Sequence, residues 1–431
     1  MIKPSILPGM MELLPEDQII FNDIKDKIEK TFKKFGFLPL DTPVMEKQEI
    51  LFAKGGGETS KQVYAFEKGS AKIGLRYDLT VPLARYVAQY FNDLNFPFRR
   101  YHIDKVYRGE RNQRGRYREF YQCDIDIVGN NSLSLYNDAE IPAVMNEVFK
   151  NLGFKNFKFL FNNRKLLNGF FSSIGLEDFE FTLRTIDKLE KIGVDNVKEE
   201  FIKKNIDNSI IDELLKFIST KGSNTEILNY LENLEISNEL FKEGLYELKF
   251  VYENMKALGI LDDNIQIELS ITRGLDYYTG SVYETILTGY ESIGSICSGG
   301  RYEDLAGNYT KQKLPGVGMS IGLTRLFYQL KEAELLEDKN PHITECLIIP
   351  MKGYEDKGIN LLTRLRENDK MVQIYLEGGK LKKQFNYADK LNVPYTIIIG
   401  EEEVNSNTYS LRNMKSGEQE TLPFEELIKY L

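Results

Sequence analysis

Three arginines far apart in the chain, Arg108, Arg273 and Arg325, each sit beside strand-like sequence or a glycine-rich turn. There the backbone can approach a phosphate closely, and a guanidinium can grip it with two parallel hydrogen bonds. That suits a nucleoside triphosphate held without a Walker loop. The glycine clusters themselves are ambiguous one by one. Residues 55–57 (GGG), the SGGRY turn from Ser298 and GVGMSIG from Gly316 can each be glycine placed for a tight turn, and GVGMSIG fits neither GxGxxG nor a P-loop. A second feature is electrostatic: residues 99–118 carry eight basic side chains against Asp104 and Glu110, in a chain of net charge −9. A polyanion is the partner such a run would take, and a solvated charged hairpin is the plain alternative. Other chemistries have little to work with. The two histidines, His102 and His342, leave few general bases or metal ligands. The three cysteines, Cys123, Cys297 and Cys346, are widely separated and odd in number, so they fit neither a disulfide framework nor a CxxC zinc clip and point to a reducing compartment.

The elements that must position these groups can be read from periodicity. Ile20, Ile24, Ile28 and Phe32 recur at helical spacing within residues 19–35, which end at Gly36. FLPLDTPVME follows, an extended segment marked by two prolines. RYHIDKVYRGE and REFYQCDIDIVG, on either side of NQRGRY, predict a long antiparallel hairpin with an arginine-rich tip. From about residue 162 to 259 the periodicity is helical with charged outer faces. Strand-like sequence then returns in QIELSITRGLDYYTGSVYETIL and runs through SICSGGRYEDLAG to the glycine-punctuated GVGMSIGLTRL. Beyond the linker EDKNPHITE, the short apolar runs CLIIP, MVQIYL and YTIIIG alternate with helical stretches at 354–367 and 380–390, predicting a small sheet of βα units. With 431 residues, 42% hydrophobic and 28% charged, the chain has material for about three folded units and large cores. Its start lacks the pattern of a signal peptide, and no apolar run approaches the ~20 residues that span a bilayer, so a cytoplasmic protein is expected.

In sequence order, YRGERNQRGRYREFYQCDIDIVG resembles motif 2 of the class II aminoacyl-tRNA synthetases, and GVGMSIGLTRL resembles motif 3. Between them, RGLDYYTGSVYE and SGGRYEDL resemble the two signatures of the histidyl-tRNA synthetase family, and FGFLPLDTPVME resembles motif 1, the dimer-interface segment. LRYDLT and REFYQCDID take the eukaryotic-type form. The last part, including KLKKQFNYADKLNVPYTIIIGEEE, is similar to the family's anticodon-binding domain. The resemblance covers essentially the whole chain and implies an α+β protein with an antiparallel class II sheet flanked by helices. Its expected parts are a catalytic domain in two pieces (1–165 and 260–336), a mainly helical insertion (166–259) and a C-terminal α/β anticodon-binding domain (337–431).

The implied activity is histidine–tRNA ligation. The histidine carboxylate attacks the α-phosphate of ATP, pyrophosphate leaves, and the histidyl group passes to the 3′ end of its tRNA. Charge spreads over phosphate oxygens, so positioned cations should dominate catalysis. By resemblance Arg108 and Arg273 bind the α-phosphate, Arg273 also bordering the histidine, and Arg325 grips the γ-phosphate of a bent ATP. Glu110 faces the adenine amino group and Phe120 stacks on the ring. Asp78, Thr80 and Gln122 take the α-amino group, Gln122 counting with the three arginines as catalytic, while Asp126 and Tyr278 take the imidazole. Asp126 stands where bacterial relatives commonly have Glu. Gln113, Arg114 and Arg116 at the hairpin tip would meet the tRNA acceptor end, and Lys380, Lys382 and Lys383 are candidates for the anticodon stem or loop. Mg²⁺ is expected with the nucleotide, its ligands coming from phosphates and water. No metal held by protein ligands, no zinc and no organic cofactor are expected, and the partners are histidine, ATP, histidine tRNA through both its acceptor end and its anticodon, and a second copy in a homodimer, with no membrane. Two departures stand out: PGMMELLP lacks the acidic residue after the usual GT(R/K), and Ser298 replaces a common glycine. The alternatives are a catalytically inactive regulatory subunit of ATP phosphoribosyltransferase, with an eroded ATP site and no anticodon domain, and a sensor that binds uncharged tRNA without activating an amino acid.

Overall fold

This computed structural model describes residues 2–53, 61–110, 115–272, 278–304, 306–336 and 341–431, Glu190 by its backbone alone; the expected loop at 55–57 lies outside them. They gather into two compact units, Met1–Met11 with Ile24–Leu335, and Glu12–Asp23 with Leu336–Leu431.

The strands of the first unit are, in chain order, β1 (Leu38–Pro39), β2 (Met45–Lys47), β3 (Ala65–Lys68), β4 (Ala71–Leu75), β5 (Phe98–Tyr107), β6 (Glu119–Val128), β7 (Phe157–Asn163), β8 (Ile265–Ile267), β9 (Ser281–Leu287), β10 (Cys297–Tyr302) and β11 (Gly316–Gly322). β2, β4 and β3 form a small antiparallel sheet. The other eight form one sheet in the order β1-β5-β6-β11-β10-β9-β7-β8. From β5 to β7 it is antiparallel as expected, but β1 lies parallel to β5 and β8 parallel to β7, so the sheet is mixed. The cause is connection length. A parallel neighbour needs a long crossover, and the helices between Arg164 and Ala257 supply one between β7 and β8. β7 itself, FKFLFNN, was not anticipated.

Register explains which side chains share a face. Tyr101, Ile125, Met319, Gly299, Tyr283 and Phe161 form one row across the strands and are all buried. Phe32, from the helix Pro15–Lys34, meets Tyr101 on this side, and Phe161 stacks on Tyr283. The neighbouring rows point the other way because side chains alternate along a strand. They read Arg100, Asp126, Gly318, Gly300 and His102, Asp124, Ser320, Ser298. One face is therefore an apolar core, and the other carries polar residues separated by glycine.

The second unit has β12 (Cys346–Pro350), β13 (Val372–Ile374), β14 (Tyr395–Ile399), β15 (Tyr409–Asn413) and β16 (Gln419–Leu422), in the order β13-β12-β14-β15-β16. The first three pair in parallel as the βα pattern predicts. The antiparallel pair β15–β16 is an addition that the sequence reading missed. β12 reads as an unbroken apolar run because both faces are covered. Cys346 and Ile348 join Leu361 and Leu365 of the helix Glu355–Arg366, while Leu347 and Ile349 join Ala388 of the helix Leu381–Lys390. Among the described residues no helix is long and apolar enough to cross a membrane. All three cysteines are buried free thiols whose pKa values are raised by burial, as expected of small apolar side chains.

Candidate active site

The polar face of the large sheet holds a cavity whose walls include Thr80, Asp124, Asp126, Tyr278, Tyr302 and Ser320. Its floor is glycine for a steric reason. A Cβ on Gly318 would stand 2.3 Å from Asp126 Oδ1, and one on Gly300 would stand 2.8 Å from the Tyr278 ring. The segment Arg76–Thr80 is fixed beside it by a buried guanidinium: Arg76 donates Nε to the Lys105 carbonyl at 2.8 Å and Nη1 to the Thr42 carbonyl at 2.6 Å, and pairs with Asp104. Asp78 Oδ1 accepts the backbone N–H groups of Thr80 and Val81 at 3.1 and 2.8 Å, which sets the start of the helix Thr80–Gln89 at the rim.

Asp126, 4% exposed, is held from both sides. Arg100 Nη2 reaches its Oδ2 at 2.5 Å, and the Tyr302 hydroxyl donates to its Oδ1 at 3.2 Å. Burial pushes the Asp126 carboxyl up to about 7 against the pull of Arg100, and the Asp124 carboxyl up to about 6 for the same reason. One guanidinium serves two carboxylates here, and its Nε and Nη1 have no hydrogen-bond partner among the described residues. Gln122, opposite Gly322, donates Nε2 to Ser320 Oγ at 2.9 Å.

A second cluster lies at the motif 2 end of the hairpin. Arg108 sits between two rings, its guanidinium carbon 4.4 Å from the centroid of Tyr77 and 5.0 Å from that of Phe120, and donates Nε to the Tyr77 carbonyl. Glu110 accepts from Arg116 Nη1 at 3.3 Å, so the two residues assigned to adenine and to tRNA are joined to each other here. Arg325, in the helix Leu323–Glu332, donates Nη2 to the Ile293 carbonyl at 3.2 Å. That helix is tied to β6 by the Thr324 hydroxyl, which accepts the Tyr121 N–H at 2.9 Å.

The structure thus brings Thr80, Asp126 and Tyr278 to one cavity, with Gln122 joined to its wall through Ser320. Asp78 stands behind the rim. Arg273, Gln113, Arg114 and Tyr277 lie outside the described residues. The reading of the basic run as one polyanion surface needs correction. Arg100 is fully buried on Asp126, Arg99 pairs with Glu140 at 2.6 Å and Lys105 with Glu119 at 2.7 Å. Alternation along β5 turns Arg100 into the interior and lays Arg99 and Lys105 against neighbouring elements. His102 is buried as expected of a structural residue, its pKa lowered to about 3 by burial and by Arg100 and Arg76. Asp41, His102 and Asp104 have potential metal-ligating atoms within 4.8 Å of one another, but Arg76 already pairs with Asp104 and lies 4.0 Å from Asp41. Arg100, Asp124, Tyr302 and Ser320 were missed as site residues. The signal for one of them was available, since Asp124 alternates with Asp126 on one strand and must share its face.

Residues 9–326 match the family described as "Histidyl-tRNA synthetase", and residues 345–431 match "Anticodon binding domain". A histidine–tRNA ligase of Finegoldia magna is 61% identical over 431 residues, covering all of both chains. One of Clostridium tetani is 56% identical over the whole chain and 98% of the relative. The crystal structure of histidyl-tRNA synthetase from Nostoc sp. PCC 7120 superposes with a TM-score of 0.92 at 38% identity, covering 100% of each chain. The sheet, the motifs on it and these full-length matches agree: the chain belongs to the histidyl-tRNA synthetase family.

Proposed function

We propose a division of labour for the reaction of this chain, which is a histidine–tRNA ligase: the glycine-floored cavity takes histidine, and the arginines around it take ATP. The observation that carries this reading is Asp126, a buried carboxylate fixed by Arg100 and Tyr302 beneath Tyr278. Such a carboxylate is an acceptor in a defined direction, which an imidazole N–H satisfies and an apolar side chain cannot. A site of this kind rejects residues without the matching N–H by roughly 10⁴–10⁵ because its polar groups would be left unpaired. The shorter reach of Asp relative to Glu is compensated by two partners that set its orientation.

With the histidine carboxylate held toward the α-phosphate, Arg108 and Arg273 stabilise the charge that develops on that phosphate, and Arg325 binds the γ-phosphate. The Tyr77–Phe120 sandwich keeps the Arg108 guanidinium pre-oriented, so little reorganisation accompanies the step. Glu110 and Phe120 receive adenine once Arg116 releases Glu110. Mg²⁺ would come with the nucleotide and would supply charge neutralisation for the departing pyrophosphate, and no residue of this chain is assigned to hold it. In the second step Gln113, Arg114 and Arg116 guide the acceptor end, and residues 337–431 read the anticodon with Lys380, Lys382 and Lys383 as candidate contacts. The catalytic parts are assigned to 1–165 and 260–336 and the insertion to 166–259, in a cytoplasmic homodimer. The match at residues 345–431 and the presence of Arg108, Glu110 and Arg325 speak against an inactive regulatory relative.

The test is ATP–pyrophosphate exchange with each amino acid, alongside an Arg273→Ala variant. Exchange with histidine alone, lost in the variant, is expected. No exchange from folded, nucleotide-free protein would overturn the reading.

A further inference from the structure

Asp124 has no role in the assignments above, and its carboxylate is only partly satisfied: the Ser320 hydroxyl hydrogen-bonds it, but one oxygen is left over. It is 3% exposed and lines the cavity, and its Oδ1 has no hydrogen-bond partner among the described residues. Arg100 Nη2 stays 3.9 Å from its Oδ2 because it is committed to Asp126. Gln122 presents a second such atom: its amide nitrogen is used on Ser320, and its Oε1 is buried without a partner. Ser320 faces Asp124 across the strand pair, so both orphan acceptors flank one side chain on one face. Asp78 differs, since its Oδ1 already takes two backbone N–H groups.

Buried acceptors left without donors are costly, and two together call for a ligand group that brings several N–H bonds and a positive charge. The imidazole is provided for at Asp126. Two residues along a strand, about 6.8 Å away, Asp124 lies at a distance suited to the other polar end of the same amino acid. We infer that Asp124 is a further substrate-binding residue, its carboxylate receiving the α-ammonium of histidine together with the Gln122 carbonyl. The inference rests on the proposed function. It gives the cavity a carboxylate at each end, one for the ring and one for the ammonium, with Arg100 between them and Ser320 holding Gln122 in place.

The test compares wild type with Asp124→Asn, which keeps size and removes charge. Two quantities are read in ATP–pyrophosphate exchange: KM for histidine, and the competitive inhibition constant of 3-(imidazol-4-yl)propionate, which keeps the ring and lacks the ammonium. KM for histidine is expected to rise roughly 10–100-fold, as for loss of a charged hydrogen bond, while the inhibition constant of the des-amino analogue changes less than about twofold. Equal weakening of both ligands, or of neither, would overturn the inference while leaving histidine activation intact. A wild type without histidine-dependent exchange would instead overturn the function on which the inference rests. If melting reveals that Asp124→Asn folds poorly, Asp124→Ser is read with the same two ligands and the same criteria.

Discussion

The large sheet unit contains two buried arginine–aspartate arrangements that are finished to different degrees. Arg301 and Asp138 form a closed set. Nε lies 3.1 Å from both carboxylate oxygens, Nη2 lies 2.7 Å from Oδ2, and Nη2 also donates to the carbonyls of Leu133 and Ser134. Arg100 with Asp124 and Asp126 is open: one guanidinium faces two carboxylates, and Arg100 Nε, Arg100 Nη1 and Asp124 Oδ1 have no partners among the described residues. A buried charge set that satisfies itself supports the fold, whereas one left incomplete in a cavity is arranged for something that arrives later. Sequence places Arg301 in the SGGRYEDL signature and Arg100 in a basic run, but only the hydrogen bonding separates their roles.

Breaking each arrangement should sharpen the contrast. Arg301→Met strands the fully buried Asp138, and a loss of about 3–5 kcal/mol in urea unfolding is expected. Arg100→Met should cost clearly less stability, because Asp124 and Asp126, already pushed up to about 6 and 7, can take up protons; losses of equal size would erase the distinction. Next in size, Asp126→Asn should reduce kcat/KM for histidine in exchange roughly 100-fold, or about 3 kcal/mol, with little change in KM for ATP. Gly318→Ala places a methyl against Asp126 and the Ile125 carbonyl, and overpacking of about 1–3 kcal/mol is expected in its melting and in histidine binding. A separate effect is on pH dependence. A carboxyl whose pKa is raised by folding contributes stability below the ordinary aspartate range and loses it as pH rises through its folded value, about 7 for Asp126. The difference in stability between wild type and Asp126→Asn should therefore shift against wild type from pH 4 to 8. His102, whose lowered pKa acts in the opposite sense, is common to both proteins and cancels. A pH-independent difference would mean that Asp126 is ionised throughout.

Much of the fold was legible because local pattern and burial agree. The hairpin β5–β6 follows from alternating side chains around a polar tip, and β12 and β14 follow from apolar runs between helices. β7 escaped notice because FKFLFNN is a strand set directly against a long helical stretch. β15 and β16 escaped because their polar, half-exposed residues carry little apolar signal. At the site, Asp126, Thr80 and Tyr278 were assigned through motif position, and all three line one cavity. Arg100 was hidden in a run of arginines. Charge counting cannot tell a guanidinium on the surface from one folded onto Asp126, because strand alternation decides between them only once the pairing register is fixed.

The most direct measurement is a calorimetric titration of histidine into wild type and Asp126→Asn at pH 8, where Asp126 is ionised in the wild-type protein. The expected result is a one-to-one binding isotherm for wild type and no measurable binding for the variant, with a cooperative melting transition showing that each protein is folded without ligand. Equal affinity in both would contradict the claim that the open carboxylate pair on β6 is where histidine is recognised.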